Sequence, residues 1–485
     1  MLKAPMESVA DLTAAEDVLL FVNAAVAATG QDEFHTGRER QTWSVDFLHE
    51  YMLVNYRDLY AAALALGIND RNKARIVQRL LSTGADAVPA QRAVEGRLIR
   101  RALRDLPASR VYRLFTALQK AKVNNRRTRA VMREWLAARP DLGFEAVKYR
   151  GAFKRAAVHA HLDLDGLPGE AGDELAAFLF APKAIGKFRT PLFETWRRAH
   201  YERAAVFELP YTVAEGFAAA HRIPRGAFLE GIAPQLTRNE RLRLQRSGGE
   251  AVALDAAALG RMPLTRLAAY VLAIPANERE ERRAELTGAL RAAARRTAGD
   301  RAGTWGAVAA VLDDSYSASG STEKRRRPLV VALAAHFLLE ALAGEYRPLW
   351  LSGNDDALLA KPRGVTALGE RILDALETGP ETLVVVSDGW DNAPAGLAAE
   401  VLRVWAVRLD PQRRTAIVHL NPVFDADGIG VRRLAPGVPT AGIRDAEDLP
   451  ELVAFARFDD GRSGIAELRA AVDARVERWL AEEDR

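Results

Sequence analysis

Hydrophobic residues in the first 300 positions recur at intervals of three and four, the spacing that places side chains on one face of an α-helix. Val111, Leu114 and Leu118 illustrate the pattern, and Val131 and Trp135 repeat it in the next segment. Proline, glycine and asparagine interrupt the pattern after segments of about 15–20 residues, so helix is expected to follow helix. Segments of this length predict antiparallel helix pairs that stack into an all-α, HEAT-like solenoid.

A different pattern begins after Trp305, where short runs of Val, Leu and Ala alternate with helical segments. Strands separated by helices predict a mainly parallel sheet that is covered on both faces, as in α/β doubly wound domains. We therefore expect two domains, a helical-repeat domain in residues 1–300 and an α/β domain in residues 301–485. The expected strands are 307–312, 349–351, 382–387 and 415–420, and the expected helices between them are 326–343, 366–378 and 395–408.

The end of the chain combines a loop-rich stretch with two further helices. Residues 421–450 are rich in glycine and proline and predict loops, whereas 446–456 and 463–483 have a helical pattern. The last helix has an apolar stripe formed by Leu468, Val472, Val476 and Leu480. The stripe fits packing on the sheet, and it equally fits docking onto the helical repeats to close a ring.

Composition limits the chemistry of the chain. It has 485 residues and no cysteine, which excludes disulfides, thiolate-bound metals and a thiol nucleophile, so a metal would be held by oxygen or imidazole. No apolar run approaches the roughly 18 residues of a membrane span, and the N-terminus lacks the basic and apolar segments of a secretory signal. These features predict a cytoplasmic protein without a membrane partner.

Two strand ends carry oxygen-bearing side chains. Asp313, Ser315 and Ser317 follow the first strand in the order carboxylate, hydroxyl, hydroxyl, and Asp388 follows the strand at 382–387. Hard divalent ions such as Mg²⁺ take oxygen ligands, and Mg²⁺ usually keeps several waters, so these groups form a plausible partial shell. Thr366 offers a further hydroxyl from a loop between the two strands.

In this order, DxSxS, a distant threonine and a strand-end Asp-Gly resemble the metal-ion-dependent adhesion site of von Willebrand factor A domains. The resemblance implies that Mg²⁺ or another divalent cation binds there and that a carboxylate of a protein partner completes the shell. The residues that would hold the ion are Asp313, Ser315, Ser317, Thr366 and Asp388. A structural interpretation stays open, in which Asp313 and the serines cap the following helix and Asp388 forms a turn.

Charge is distributed unevenly along the chain. Residues 1–300 contain 46 basic and 35 acidic residues, whereas residues 301–485 contain 22 and 29. Most of the excess lies in residues 91–160, with 18 basic against 5 acidic residues. Segregated positive charge suits a polyanion such as RNA or DNA, although a solvated basic face would give the same count.

The basic residues are interleaved with aromatic ones. Tyr149 and Phe153 lie among the charges, where their rings could stack on unpaired bases or, alternatively, belong to the core. Guanidinium groups bind phosphate oxygens through paired hydrogen bonds, which makes these residues candidates for RNA binding. The candidates are Lys120, Lys122, Arg126, Arg127, Arg129, Lys148, Arg150, Lys154 and Arg155, followed by a second set of Lys183, Lys187 and Arg189.

A second family resemblance covers the helical part and its junction with the α/β part. The segment RMPLTR at 261–266, which leads into DxSxS about fifty residues later, resembles the junction of TROVE proteins, the family of the Ro autoantigen and its bacterial relatives. The stretches 128–135, 146–151 and 160–162 resemble that family's basic helix, Lys-Tyr and terminal His-Leu.

The TROVE resemblance implies a ring of helical repeats closed by the A-type domain. It also implies that the ring passes single-stranded 3′ ends of misfolded RNAs, that the outer surface binds small structured Y RNAs, and that the protein acts in RNA quality control, repair or stress response. It assigns Lys148, Arg150, Lys154, Arg155 and His161 to the RNA-binding face.

We therefore expect a monomeric RNA-binding scaffold. The alternative is a metal-dependent protein-interaction adaptor without nucleic acid, for example one that partners an ATPase machine. An enzyme is not expected, because no Ser-His-Asp set, phosphate-binding glycine loop or HExxH motif is discernible. Carboxylates around Mg²⁺ could support phosphoryl chemistry, but no general base accompanies Asp313, Asp314 and Asp388.

Overall fold

The computed structural model describes residues 8–164, 167, 172–237, 240–241, 244, 259–456, 458 and 464–482. Its first part is helical, as the apolar periodicity predicts. The helices are α1 (Val9–Ala27), α2 (Arg38–Asn55), α3 (Arg57–Ala62), α4 (Asp70–Ser82), α5 (Pro89–Asp105), α6 (Ala108–Lys120), α7 (Arg126–Ala137), α8 (Leu142–Lys148), α9 (Arg150–Ala160), α10 (Gly172–Phe180), α11 (Pro191–Arg198), α12 (Tyr211–Ala220), α13 (Arg225–Ile232), α14 (Leu264–Ala273), α15 (Ala276–Glu281) and α16 (Arg283–Ala298).

Strands and helices then alternate, which confirms the predicted combination of helical repeats with an α/β domain. The elements are β1 (Ala307–Leu312), α17 (Arg327–Leu342), β2 (Glu345–Trp350), α18 (Leu368–Glu377), β3 (Thr382–Val386), α19 (Leu397–Val404), β4 (Ala416–Asn421), β5 (Phe424–Asp425), β6 (Gly430–Val431), β7 (Thr440–Gly442), α20 (Leu449–Ala456) and α21 (Ile465–Ala481). Short strands β5, β6 and β7 lie in the stretch predicted as loops, because runs of two or three residues are too short to show a period.

The main sheet has the order β2-β1-β3-β4-β7, and all its strand pairs are parallel. Helices α18 and α19 pack on the face that presents Ala309, Val311 and Leu383. Helix α17 contacts β1, β2 and β3 but is not part of that cluster, so it covers the opposite face. Coverage on both faces explains why the strands are continuous apolar runs.

The chain divides into two compact units, residues 73–255 and residues 1–72 together with 256–485. The predicted domain boundary lies at residue 300, where the secondary structure changes. The compact units are instead divided after residue 72 and after residue 255. The difference arises because α1 packs against β6 and β7. Asn23 on α1 donates to the Thr440 carbonyl (3.1 Å) and accepts from the Gly442 N–H (3.0 Å), which satisfies edge-strand groups that would otherwise be open.

Helix α21 packs against α1 and α3 rather than on the sheet. Leu468, Val472 and Trp479 are its buried side chains. Docking onto helices is therefore the alternative that the structure supports, and closure of a ring stays a prediction. None of the helices in the described part of the chain is long and apolar enough to cross a membrane.

Candidate functional site

The oxygen-bearing motifs meet at the carboxyl ends of β1 and β3. Leu312 and Val386 are paired in the parallel register, and the Asp313 N–H donates to the Val386 carbonyl at 3.0 Å. This register brings the loop after β1 next to Ser387 and Asp388. Asp313 and Asp388 are 3% and 4% exposed, so two carboxylates lie close together in the interior.

The three predicted hydroxyl groups are also brought together. Ser315 Oγ lies 3.2 Å from Ser317 Oγ, and the Thr366 hydroxyl donates to Ser315 Oγ at 3.2 Å. Asn392 holds Thr366 in place, since its Oδ1 accepts from the Thr366 N–H at 3.0 Å. We call Asp313, Ser315, Ser317, Thr366 and Asp388 the adhesion-type site.

The structural interpretation of the same residues holds only in part. Asp388 does form a turn, because its Oδ1 accepts from the Trp390 N–H at 3.0 Å. The Ser315 side chain, however, makes no capping hydrogen bond to the short 3₁₀-helix Tyr316–Ser319, and α17 begins only at Arg327. Helix capping therefore does not account for the serines.

The electrostatics of the adhesion-type site favour a bound cation. Burial, together with the charge of Asp388, raises the pKa of Asp313 to about 7. Among the described residues, neither Asp313 nor Asp388 forms an ion pair with lysine or arginine. Two buried carboxylates and three hydroxyls fit the all-oxygen partial shell of a hard divalent ion. Groups of three or more carboxylates or imidazoles placed for a metal are absent from the described ranges, so such a site relies on the hydroxyls.

Asp314 is held away from this set of groups. Its Oδ1 accepts from the Ser352 N–H (2.9 Å) and its Oδ2 from the Ser352 hydroxyl (2.5 Å). Burial raises its pKa as well. Asp314 therefore fastens the loop after β1 to the end of β2.

The structure adds residues that the sequence did not indicate. His35, in the loop between α1 and α2, lies with Nε2 3.7 Å from Asp388 Oδ2. Its ring centroid is 4.8 Å from that of Trp390. Nothing in the local sequence around His35 predicts this position, because the contact joins residues far apart in the chain.

The RMPLTR segment (261–266) forms hydrogen bonds that hold two elements of the same compact unit together. Thr265, at the start of α14, donates its hydroxyl to Glu447 (2.6 Å) and its N–H to the same carboxylate (3.1 Å). The Thr265 hydroxyl also accepts from the Ala446 N–H at 2.7 Å. Met262 is fully buried. The motif is thus explained by packing.

Several candidate RNA-binding residues are exposed around the turn between α6 and α7. Two contacts fix this turn and α7 to the end of α9: His159 Nε2 lies 2.9 Å from the Val123 carbonyl, and Arg133 Nε donates to the Ala160 carbonyl at 2.6 Å. Arg155 lies one helical turn before His159 and so shares its face of α9. We call the exposed residues Lys120, Lys122, Arg126, Arg155 and His161 the basic surface.

An exposed aromatic ring lies next to Lys154, shortly before the second basic set in the chain. Lys154 Nζ lies 4.7 Å from the ring centroid of Phe180, which is 47% exposed. Lys183, Lys187 and Arg189 are exposed in the segment that follows, and Arg189 is 3.6 Å from Glu174.

Other candidates have partners within the protein. Arg127 pairs with the buried Glu95 at 2.9 Å, and Arg150 donates to the carbonyls of Phe178 and Leu179 at the end of α10. Burial lowers the pKa of Arg150. These arginines stabilise the helical packing, and an additional role in RNA binding stays a prediction for them. Arg129 and Lys148 are half-buried, and their role in RNA binding stays a prediction as well.

The aromatic residues among the charges differ in accessibility. Phe153 is fully buried, so the prediction that its ring could stack on bases is wrong and the core interpretation is correct. The buried apolar residues of α9 recur at intervals of three and four from Phe153, as on one face of a helix. The basic residues between them obscure this pattern in the sequence. Tyr149 is half-buried, with its ring 5.0 Å from that of Tyr112. Tyr201, by contrast, is 79% exposed.

Comparisons with known proteins find a distant structural likeness. Neither a family model nor a curated protein matches the chain. The chain is similar to the crystal structure of the Deinococcus radiodurans RO (RSR) protein, with 17% sequence identity and a TM-score of 0.46, over 91% of this chain and 99% of that one. At this distance the TROVE family stays a resemblance, carried by the motifs of the sequence.

Proposed function

We propose that the protein is an RNA-binding scaffold and that the basic surface contacts the phosphates of single-stranded RNA. The observation that carries the proposal is the convergence of the α6–α7 turn with the end of α9, which gathers exposed cations from two separate stretches of sequence. Ammonium and guanidinium groups attract phosphates without regard to sequence. Single-stranded ends of misfolded RNAs and small structured RNAs are the substrates that the TROVE resemblance implies.

Exposed rings beside the cations support a single strand over a duplex. Phe180, with Lys154 against its ring, and Tyr201 are accessible to unpaired bases. Stacking of one base on an aromatic ring contributes roughly 1–3 kcal/mol and tolerates any base. A duplex offers no free base faces along its length, so these rings would add nothing to its binding.

A titration of a fluorescently labelled single-stranded RNA at several salt concentrations tests the proposal. We expect binding at low salt, with the logarithm of the affinity falling linearly with the logarithm of the salt concentration, because phosphate contacts release counterions. A duplex of the same length is the control and should bind more weakly. Absence of binding at low salt would leave the protein-interaction adaptor as the better account.

The adhesion-type site supports a second function, cation-dependent protein binding. We infer that Asp313, Ser315, Ser317, Thr366 and Asp388 hold Mg²⁺ or another divalent cation. The supporting observation is the pair of buried carboxylates beside three clustered hydroxyls. A bound cation would offset the repulsion between the carboxylates and present a positive centre to an acidic group of a partner.

A further inference from the structure

Helix α2 has apolar side chains on two sides. On its inner side, where the helix contacts α1 and α3, the buried apolar residues are Val45, Leu48, Met52 and Leu53. On its outer side, Trp43, Phe47 and Val54 are 72%, 51% and 72% exposed. These positions are four and seven residues apart, which places them in one line along the helix. A single exposed apolar residue needs no explanation, but a line of three marks an interaction surface.

We call Trp43, Phe47 and Val54 the outer face of α2. Phe47 stacks on Tyr51, with ring centroids 6.1 Å apart and 26° between the ring planes. The Tyr51 hydroxyl donates to Asp17 on α1 at 2.7 Å, so a hydrogen bond to another helix fixes the ring that Phe47 contacts. A surface whose rings are already held in place loses little side-chain entropy when a partner binds.

Carboxylates lie on both sides of the outer face. Those on one side belong to α2 itself and are Glu39, Asp46 and Glu50. On the other side is Asp17, which accepts from Tyr51 and also from the Tyr56 hydroxyl at 3.2 Å. Arg40, near the start of the same helix, pairs with Asp427 at 2.5 Å, so its charge is balanced. The surroundings of the apolar line are therefore negatively charged.

We propose that the outer face of α2 binds a basic amphipathic helix of a protein partner. The apolar side of that helix would pack along Trp43 and Phe47, and its lysines or arginines would lie beside the flanking carboxylates. Charge favours this partner, because the carboxylates attract basic side chains and repel the phosphates of RNA. A second copy of the chain that presented its own outer face would bring like charges together. The surface is separate from the basic surface and from the adhesion-type site, and it requires no cation.

Two fluorescently labelled helical peptides of equal length and charge test the apolar contact. One is an amphipathic peptide of leucine and lysine, and the other has alanine at each leucine position. We expect the wild type to bind the leucine peptide about tenfold more tightly or better, because only leucine fills the space around the exposed rings. Trp43→Ser combined with Phe47→Ser should remove this preference.

Val407→Ser combined with Leu409→Ser is the matched control, because these residues are 62% and 58% exposed and lie shortly after α19. This control should retain the preference for the leucine peptide. Thermal unfolding verifies that both double variants are folded. A wild type without the preference, or a preference that survives Trp43→Ser with Phe47→Ser, would overturn the proposal.

A second pair of variants tests the charge of the partner. Glu39→Gln combined with Glu50→Gln should lower the affinity for the leucine and lysine peptide about fivefold and flatten its salt dependence. Glu370→Gln combined with Glu377→Gln, which changes two exposed carboxylates on α18, should lower it less than about twofold. Equal affinities in the two variants would contradict recognition of a basic partner.

Sedimentation velocity and RNA titration distinguish the other possible occupants of the outer face. We expect the wild type to remain monomeric over the concentration range and Trp43→Ser with Phe47→Ser to bind single-stranded RNA like the wild type. A dimer that this double variant abolishes would assign the face to a second copy of the chain. A loss of RNA affinity in the variant would assign it to RNA. Either result would overturn the proposal.

Discussion

Replacing Lys120, Lys122 and Arg126 together by glutamine is expected to weaken single-stranded RNA binding about a hundredfold at 0.1 M salt. The three side chains are exposed at the α6–α7 turn, and each lost phosphate contact lowers the salt slope for a single strand by about 0.7. Three contacts therefore remove about two units of slope. Glutamine retains the length of the side chains, so the change acts mainly on charge. Anisotropy titrations across a salt series measure both quantities.

Charge-matched controls separate this local effect from a change in net charge. Arg301, Arg347 and Arg408 are exposed in the part of the chain around the α/β elements, and their replacement by glutamine removes the same three charges. This control should lower the affinity less than about threefold, since distant charges are screened at 0.1 M salt. Equal losses in the two triple variants would contradict a specific role for the basic surface.

Arg127 is expected to behave differently from its exposed neighbours. It pairs with Glu95, which is only 1% exposed. Removing one partner of a buried ion pair costs on the order of 3 kcal/mol, so Arg127→Ala should unfold more readily. A replacement that includes Arg127 would therefore mix loss of stability with loss of RNA binding, and for this reason it is left out of the triple variant.

Asp313→Asn is expected to abolish the stabilisation of the protein by Mg²⁺. The substitution keeps the shape of the side chain and removes one of the two carboxylates that would hold the ion. Thermal unfolding with and without Mg²⁺ measures the effect, and Asp300→Asn, which changes an exposed carboxylate, is the control. An unfolding temperature that still rises with Mg²⁺ in Asp313→Asn would contradict the assignment of the site.

The pH dependence provides a second test of the same residue. The pKa of Asp313 is raised from its ordinary value of 3.8 to about 7, so between these values the folded state holds a proton that the unfolded state has lost. Stability without a cation should therefore fall as pH rises through this interval. A cation must displace the proton, so stabilisation by Mg²⁺ should be larger at about pH 8 than at about pH 6. Asp313→Asn should show neither trend.

Local patterns were sufficient to predict the strand ends and their motifs. The strand 307–312 is found with the predicted bounds, and the residues after it meet Thr366 as expected. They were predictable because apolar runs, turns and parallel strand order are properties of short segments. His35 was not predictable, because its contact with Asp388 depends on how α1 and α2 pack on the sheet.

Side-chain environment was the other feature that the sequence did not reveal. Arg126 and Arg127 are neighbours with the same charge, yet the first is exposed and the second pairs with buried Glu95. Phe153 lies among basic residues but is fully buried. Charge density therefore located the basic segment correctly without distinguishing the residues that face solvent from those that stabilise the helices.

Photocrosslinking of 4-thiouridine-labelled single-stranded RNA, followed by mass spectrometry of the crosslinked peptides, tests most directly that the basic surface binds RNA. Crosslinks are expected in peptides that contain residues 120–126, 155–161 or 183–189. Crosslinks confined to residues 301–485, or their absence at low salt, would contradict the proposed function.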